Sequence, residues 1–417
     1  MTAPAPRVVL VGTSGYGRRH LVNLVDWHVA GDIELVGLVD VSFDDAVLAM
    51  MHEHGIRPDY SRSLDSILHS QNPDTVVVAT PPHTHFALAE LVLRSGAALY
   101  LEKPPVPLLQ QLDALERAAG SSRFEIGFQE SGFIVDSLEA VIRSGDVGTV
   151  TRITAHGALA RADSYYQRNS WAGTWFRHGQ PVLDGPLFNP LAHVVHTALV
   201  LARRIDREWL PTTVTAEFVS LREIEGDDIA AIRIDSNRGP QVVAVGTTAS
   251  DVVEEPAVTL HGTEGSITIR HSDGHGVLTR DGQNEPVTPI ERRPGALFTA
   301  VTDPKGRSDE FIDVRAVRPF VTVVNASVQA ARAPKSAAHL QHIERRDGET
   351  FRSLTGIGEA ITAVVQSGRL FSEIGYGWAA PAATIGLRDY VGLRHPKFIE
   401  EFSSADSGAR DEVRGKS

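Results

Sequence analysis

Two kinds of side chain in this sequence can manage a proton beside a reacting carbon: a lysine placed just after an apolar run, and histidines grouped at helical spacing. Lys103 stands two residues past Leu99-Tyr100-Leu101 and is followed by Pro104-Pro105. If that run is a strand of a parallel sheet, its carboxyl end is where ligands bind. An ammonium there donates to a substrate oxygen and favours negative charge developing on it. The prolines stiffen the turn that presents it. The histidines belong to Asn189-Pro190-Leu191-Ala192-His193-Val194-Val195-His196. Asn189-Pro190 predicts a helix start, a side-chain cap followed by proline at the first helical position. His193 and His196 then share one helix face with Asn189. A neutral imidazole accepts a proton near pH 7, whereas an amide does not, so Asn189 can only orient substrate or cap the helix. The His-x-x-His spacing also suits zinc, but the chain has no cysteine and no third ligand in register, so no metal is expected.

These residues need elements to hold them. Val8-Val9-Leu10-Val11 is an apolar run ending on Gly12, followed by a predicted helix from about Gly17 to Val29 and a strand over 33–39 that stops at Asp40. The alternation continues with helices over 43–55, 86–95 and 111–119 and strands over 75–80, 98–101 and 124–128. Near-continuous apolar strands between helices imply a parallel sheet covered on both faces, a Rossmann-type doubly wound α/β domain over residues 1–129. The first turn, Gly12-Thr13-Ser14-Gly15-Tyr16-Gly17, meets the dinucleotide fingerprint at its first and sixth positions, with Ser14 at the third and Gly15 directly after it. A carboxylate at Asp40 can accept both ribose hydroxyls and repels a 2′-phosphate. Val41-Ser42-Phe43 offers no cation, so NAD is expected over NADP.

Further along, Ala79-Thr80-Pro81-Pro82-His83-Thr84-His85 and Leu99-Tyr100-Leu101-Glu102-Lys103-Pro104 together resemble the paired signature of the Gfo/Idh/MocA oxidoreductases. The resemblance implies that Thr80, Pro81 and His85 lie beside the cofactor, along with Gly12, Ser14, Gly15, Tyr16, Gly17 and Asp40. It makes Glu102 a cofactor or structural contact and places Lys103 where the nicotinamide meets substrate. The family's characteristic helix carries an Asp, a His four residues later and often another acidic residue. His193 matches the His, Asn189 stands in place of the Asp, and His196 stands where the second acidic residue would be. Asp184 offers no alternative register, because Phe188 rather than a histidine lies four residues on. Lys103, His193 and Asn189 are therefore the expected catalytic set, with His193 and Lys103 alone managing the proton.

From about Glu130 the pattern changes. A helix is predicted over 137–144, a strand over 149–158, and further strands over 214–218, 229–234, 241–247, 258–261 and 266–270. Alternation and hairpin-like turns suggest an open, mostly antiparallel sheet within a second, α+β domain over residues 130–402. The resemblance implies that this domain binds substrate and that its exposed sheet face joins subunits, giving a homodimer or homotetramer. Tyr165-Tyr166-Gln167-Arg168-Asn169-Ser170-Trp171-Ala172-Gly173 is a loop of aromatic and hydrogen-bonding groups, similar to an Arg-Asn-x-Trp-Ala-Gly stretch of that family. Tyr166, Arg168, Asn169 and Trp171, with His196, are the expected contacts to a sugar, inositol or related polyol. Residues 271–284 read as turns, 313–331 as a helix that Pro319 either kinks or starts, and 356–373 as one further helix. Residues 403–417 read as a disordered tail.

Composition bounds the rest. The chain has 417 residues, a hydrophobic fraction of 42% and a formal net charge of −12. That balance argues against nucleic acid or an anionic membrane surface as partner. No cysteine, no signal-peptide pattern and no apolar stretch of transmembrane length point to a soluble, cytoplasmic chain. The activity that the resemblance implies is NAD-dependent hydride transfer at a secondary alcohol carbon. A redox-assisted glycosidase or lyase that retains NAD, or a non-catalytic nucleotide-binding regulator, are the alternatives that the same residues leave open.

Overall fold

A computed structural model of the chain describes residues 4–128, 131–177, 179–289, 295–307 and 312–394. The expected tail over 403–417 lies outside the described residues. The first part runs β1 (Arg7–Val11), α1 (Tyr16–Ala30), β2 (Glu34–Val39), α2 (Asp45–Glu53), β3 (Asp59–Ser61), α3 (Leu64–Gln71), β4 (Thr75–Val78), α4 (Pro82–Ser95), β5 (Ala98–Leu101), α5 (Leu109–Ala119) and β6 (Phe124–Ile126). Its strands form a six-stranded sheet in the order β3-β2-β1-β4-β5-β6, and every pair is parallel. The apolar runs explain this: Val9 and Val11 face one core layer while Val8 and Leu10 face another, so β1 is buried from both sides. Full burial of each such side chain contributes about 1.5–3 kcal/mol.

The rest of the chain runs α6 (Ser131–Ser144), β7 (Val150–Ala160), α7 (Asp163–Gln167), β8 (Phe176–Arg177), β9 (Gln180–Pro181) and α8 (Ala192–Ile205). It continues through β10 (Pro211–Ser220), β11 (Ile229–Ser236), β12 (Gln241–Thr247), β13 (Ala249–Gly262), β14 (Gly265–Arg270), β15 (Gly276–Arg280) and β16 (Gln283–Val287). Last come α9 (Ala296–Thr302), α10 (Val314–Ala331), β17 (Lys335–Ser336), β18 (Gln341–Arg346), β19 (Glu349–Leu354), α11 (Ile357–Ser367), α12 (Phe371–Ile374) and β20 (Ala383–Gly386). A ten-stranded sheet follows the order β16-β15-β14-β13-β7-β12-β11-β10-β17, with β20 also on β10. Only β7–β12 and β10–β17 pair in parallel, so the sheet is mostly antiparallel as expected.

Three expectations are corrected here. Residues 271–284 are not merely turns: Gly276–Val287 is a hairpin that extends the large sheet. The predicted helix over 356–373 breaks into α11 and α12, because Gly368 adopts φ +71° and its N–H closes on Val364 O at 2.8 Å. The outer face of the large sheet is not wholly open. Ile357, Ile361, Val364 and Phe371 cover Ala158, Ile229, Ala231, Val243 and Val245 on it.

Pro319 lies inside α10, which begins after Asp313, whose carboxylate accepts from Arg315 N. Proline has no N–H for the carbonyl four residues back, that of Arg315. Arg203 reaches that oxygen from α8 at 3.5 Å. The chain also folds back on itself: Leu297, Ala300 and Val301 of α9 pack into the layer of Val8 and Leu10, and Thr75 Oγ1 donates to Ala300 O. Residues 296–302 thus pack on the first sheet although they follow most strands of the second in sequence.

The outer face of the large sheet also carries two half-buried imidazoles. His156 pairs with Thr259 and His261 with Thr154, both at 3.1 Å. Burial pushes both down to about 4, with the Arg152 charge adding at His261. An unfolded chain takes up these protons near pH 6.5. The folded chain refuses them until about pH 4, so stability is complete above pH 6.5 and falls as pH drops through that window. The expected outcome is a thermal midpoint that declines steadily from pH 6.5 to pH 4, with a shallower decline in His156→Gln. Calorimetric scans across that range check it, and an unchanged slope in the variant contradicts it.

Candidate active site

The glycine turn is built by contact rather than by flexibility. A Cβ on Gly12, whose φ is +90°, would lie 2.5 Å from Ala79 O, and one on Gly17 would lie 2.1 Å from Gly12 O. α1 therefore starts hard against the turn, while Ser14, Gly15 and Tyr16 are exposed. No side chain caps α1. Its first amides face outward at the positive end of the helix dipole, as a pyrophosphate requires. Asp40 ends β2 and its Oδ2 accepts from Thr13 N at 2.7 Å and Thr13 Oγ1 at 2.8 Å. Of the two cations on the first turn of α1, Arg18 is held by Asp44 Oδ2 at 2.6 Å and Thr13 O at 3.1 Å, and Arg19 lies over the Tyr16 ring at 5.2 Å. The turn, the uncapped helix and the Asp40 carboxylate fit NAD. NAD, when bound, supplies the hydride acceptor; the chain's residues supply everything around it.

Thr80 and Pro81 sit where β4 passes into α4, and Thr80 Oγ1 pairs with Thr84 Oγ1 at 2.7 Å. His85, expected beside the cofactor, is only 1% exposed. Its Nε2 lies 2.7 Å from Thr80 O and its Nδ1 2.7 Å from Pro105 O. It therefore ties the first signature to the turn that presents Lys103. Glu102 is likewise internal, at 5% exposure: Oε1 pairs with His20 Nε2 at 2.7 Å and Oε2 accepts from Lys103 N at 3.0 Å. Of the two roles open to Glu102, the contacts are those of a structural one. His20 escaped sequence reasoning; only its place on the buried face of α1, edge-on to Tyr16 and Tyr100, identifies it.

Lys103 reaches across to the second part of the chain. Its Nζ donates to Asn189 O at 3.2 Å and to Asn189 Oδ1 at 3.3 Å. Here the predicted helix start is corrected. α8 begins at Ala192, and Asn189 and Pro190 lie in turns before it. Asn189 does not cap the helix, because Lys103 takes its Oδ1 and its Nδ2 donates to Asp184 Oδ1 at 2.9 Å. Asp184, set aside on spacing, is thus the carboxylate of this site; its other oxygen accepts from Gly173 N at 2.7 Å. Burial pushes its carboxyl up, while Gly173, Asn189, Arg168 and Lys103 oppose that.

Leu191 anchors the segment. A Cβ on Gly157 or Gly246 would lie 2.8 or 2.1 Å from its methyl groups, so two glycines of the large sheet make its socket. One residue on, the first turn of α8 presents His193, half-buried and edge-on to Phe128. Its ring stacks on His271 at 4.9 Å, a residue past β14 that no sequence spacing connects to it. Burial holds His193 well below the ordinary imidazole range, with the charge of Lys103 and the neighbouring His271 and His196 adding. His196, expected to touch substrate, instead has no exposed surface and lies 4.1 Å from the Phe128 ring. Burial drives it down to about 3, so it is a neutral core residue. Among the described residues no group of three His, Cys, Asp or Glu side chains could hold a metal.

The predicted substrate loop comes to the same place through Gly173. Arg168 is exposed and lies over the Tyr165 ring at 3.7 Å and the Trp171 ring at 5.9 Å. Asn169 Oδ1 accepts from Trp171 N and Ala172 N, which folds the loop on itself. Tyr166 turns away: its hydroxyl pairs with Thr248 Oγ1 at 2.6 Å and Arg222 covers its ring.

We propose that Asp40 carries the choice of cofactor. Asp40→Ser removes a charged acceptor worth about 1.5–3 kcal/mol. NADH affinity is expected to fall by roughly ten- to a hundred-fold, with the preference over NADPH narrowed. Titrating the fluorescence of each reduced nucleotide measures both; an unaltered preference would remove Asp40 from the ribose site.

The sequence matches the family described as "Oxidoreductase family, NAD-binding Rossmann fold" over residues 6–124. It matches the "GFO/IDH/MocA C-terminal domain" over residues 135–268. The Escherichia coli (strain K12) protein named "Uncharacterized oxidoreductase YdgJ" is 25% identical over 225 residues, which are 53% of this chain and 60% of that protein. The match thus spans under two-thirds of the relative's length. Solved structures share the fold. The WlbA dehydrogenase of Bordetella pertussis, in complex with NADH and UDP-GlcNAcA, has a TM-score of 0.61 at 20% identity over 79% of this chain and 97% of that one. The aldose-aldose oxidoreductase of Caulobacter crescentus, complexed with glycerol, has 0.63 at 20% over 79% and 98%. Levoglucosan dehydrogenase in complex with NADH has 0.61 at 15% over 78% and 96%. With both family regions matched in order along the chain, it belongs to the Gfo/Idh/MocA family of NAD-binding oxidoreductases.

Proposed function

We propose that this chain transfers a hydride between NAD and a secondary alcohol carbon of a sugar, inositol or related polyol. The observation that carries the reading is that Lys103 Nζ reaches Asn189 O and Oδ1, in the turn that leads directly into the first turn of α8, where His193 stands. The lysine charge is also among the causes that hold His193 below the ordinary imidazole range, after burial. Lys103 donates to the substrate oxygen and His193 takes the hydroxyl proton as hydride leaves the carbon. Arg168 and Trp171 give a hydrogen-bonding edge and an aromatic wall, which suit a ring bearing several hydroxyls. Three structural neighbours support the substrate class: the WlbA dehydrogenase is bound to UDP-GlcNAcA, the aldose-aldose oxidoreductase is complexed with glycerol, and the third is a levoglucosan dehydrogenase.

The division into a nucleotide unit over 1–129 and a substrate unit over 130–402 belongs to the same proposal, with α9 returning to the first sheet. So does a homodimer or homotetramer built on the larger sheet, where Val252, Val253 and Val277 are exposed. A cytoplasmic setting suits a chain without cysteine.

A spectrophotometric screen of polyols for NAD reduction tests the function directly. Lys103→Met and His193→Gln are each expected to lower kcat at least roughly a hundred-fold with the fold intact. Full activity in His193→Gln would remove it as the base. Because the lysine charge helps to depress His193, its ring titration, followed by NMR, should move upward in Lys103→Met and stay below pH 6.5, since burial remains.

A further inference from the structure

We propose that Asp184 is a positioning residue of this site. It fixes the Asn189 amide so that the carbonyl oxygen, not the NH2, meets the Lys103 ammonium, and it ties that amide to the end of the substrate loop. The proposal rests on the reading of Lys103 as the group that meets the substrate oxygen.

An asparagine side chain has an acceptor end and a donor end of nearly equal size. Lys103 Nζ offers only donors, and a reversed amide would turn NH2 toward NH3+. Nothing at Asn189 itself chooses between the two. Asp184 does: its Oδ1 accepts from Asn189 Nδ2 at 2.9 Å, and that bond exists in one orientation alone. Both hydrogen-bond partners of the carboxylate are donors, Asn189 Nδ2 and Gly173 N, so the geometry is that of the ionised group. Asp184 is 5% exposed, and the charged side chains acting on it are Lys103 and Arg168. Asp227 lies behind Gly185, whose Cβ would approach its Oδ1 to 2.7 Å. Its Oδ1 accepts from Trp175 Nε1 at 3.0 Å, and burial pushes its carboxyl well above the carboxylate range.

The backbone around Asp184 is held from both sides. Leu183 is non-glycine at φ +54°, a conformation that persists only where surroundings impose it. Val182 N and Leu183 N both bond to Trp175 O, and Asp184 N bonds to Thr174 O at 2.9 Å. The carboxylate therefore has one place to be. Through Gly173 it also reaches the loop that carries Arg168 and Trp171, so a shift of that loop is felt at Lys103.

The test uses the full chain and needs no substrate: the pH dependence of acetic anhydride labelling at Lys103, read by mass spectrometry. Asp184→Asn is expected to lower the labelling midpoint by roughly one pH unit, since it removes a nearby negative charge and the bond that orients the amide. The exchange Asp184→Asn with Asn189→Asp returns a charged acceptor to Lys103 and is expected to restore it. Asn189→Leu lowers it too, and combined with Asp184→Asn the shift falls short of the sum. An unmoved midpoint in Asp184→Asn, no recovery in the exchange, or strictly additive shifts overturns the proposal. Should Asp184→Asn fail to unfold cooperatively, Asn189→Asp alone carries the test: a raised midpoint is expected, and an unchanged one overturns it. With a polyol that reduces NAD, Asp184→Asn should lose about tenfold in kcat with little change in KM. Should no polyol turn over while the labelling pattern holds, the functional reading fails and the positioning role stands.

Discussion

An ammonium held at the seam between two sheets is the constraint on which the rest of this structure depends. The main chain of Lys103 lies in the turn just past β5 of the first sheet, and its Nζ ends on Asn189, in the segment docked on the second. A cation partly withdrawn from water needs acceptors and opposite charge nearby, or it loses its proton or its position. The segment docked on the second sheet supplies them through Asn189 and, behind it, Asp184. On the other side Glu102 fixes the main chain rather than the ammonium: it accepts from the backbone Lys103 N and is itself held by His20 of α1. One line of hydrogen bonds thus runs from the helix that begins at the nucleotide turn, through Lys103, to the loop that ends at Gly173.

That line works only if both ends are stiff. At one end, Gly12 and Gly17 let backbone meet backbone where a methyl group would collide. At the other, Leu191 fills a socket that Gly157 and Gly246 leave in adjacent strands β7 and β12, which pins the turn carrying Asn189. The two parts are further bound by α9 lying on the first sheet and by the bridge between Glu125 and Asp313. Neither sheet moves freely relative to the other without disturbing the distance from Lys103 to Asn189.

Much of the first part was legible because its signals are local. A strand, a glycine turn, a helix and an acidic residue after the next strand lie within about forty residues of one another, and each is dictated by near neighbours. β3 and α3 were missed because their strand is three residues long and exposed. In the second part the decisive contacts are non-local. Asn189-Pro190 carries a genuine capping pattern, yet Lys103 and Asp184 outbid the helix for the amide. Asp184 failed a spacing test framed for helices, although it acts through a turn. His271 stacks on His193 from a strand end whose sequence holds no hint of it, and His196 shows the converse, helical spacing with no exposure.

The exchange of acid for amide at position 189 then has a physical reading. Asn189 can neither take nor give a proton, and both oxygens of Asp184 face donors. Asp227 faces Trp175, and burial pushes its carboxyl well above the ordinary carboxylate range. On the proposed function, proton traffic falls to His193 and Lys103. Burial keeps the imidazole neutral, and the ammonium beside it adds to that. A neutral acceptor next to a cationic donor is the resting state that oxidation of an alcohol needs, because the hydroxyl proton has somewhere to go and its oxygen has a charge to lean on. Running the reaction the other way requires a proton on His193 first, against both of those effects. The pair that the sequence singles out is therefore unequal in kind: Lys103 is fixed by the fold, and His193 is tuned by what surrounds it.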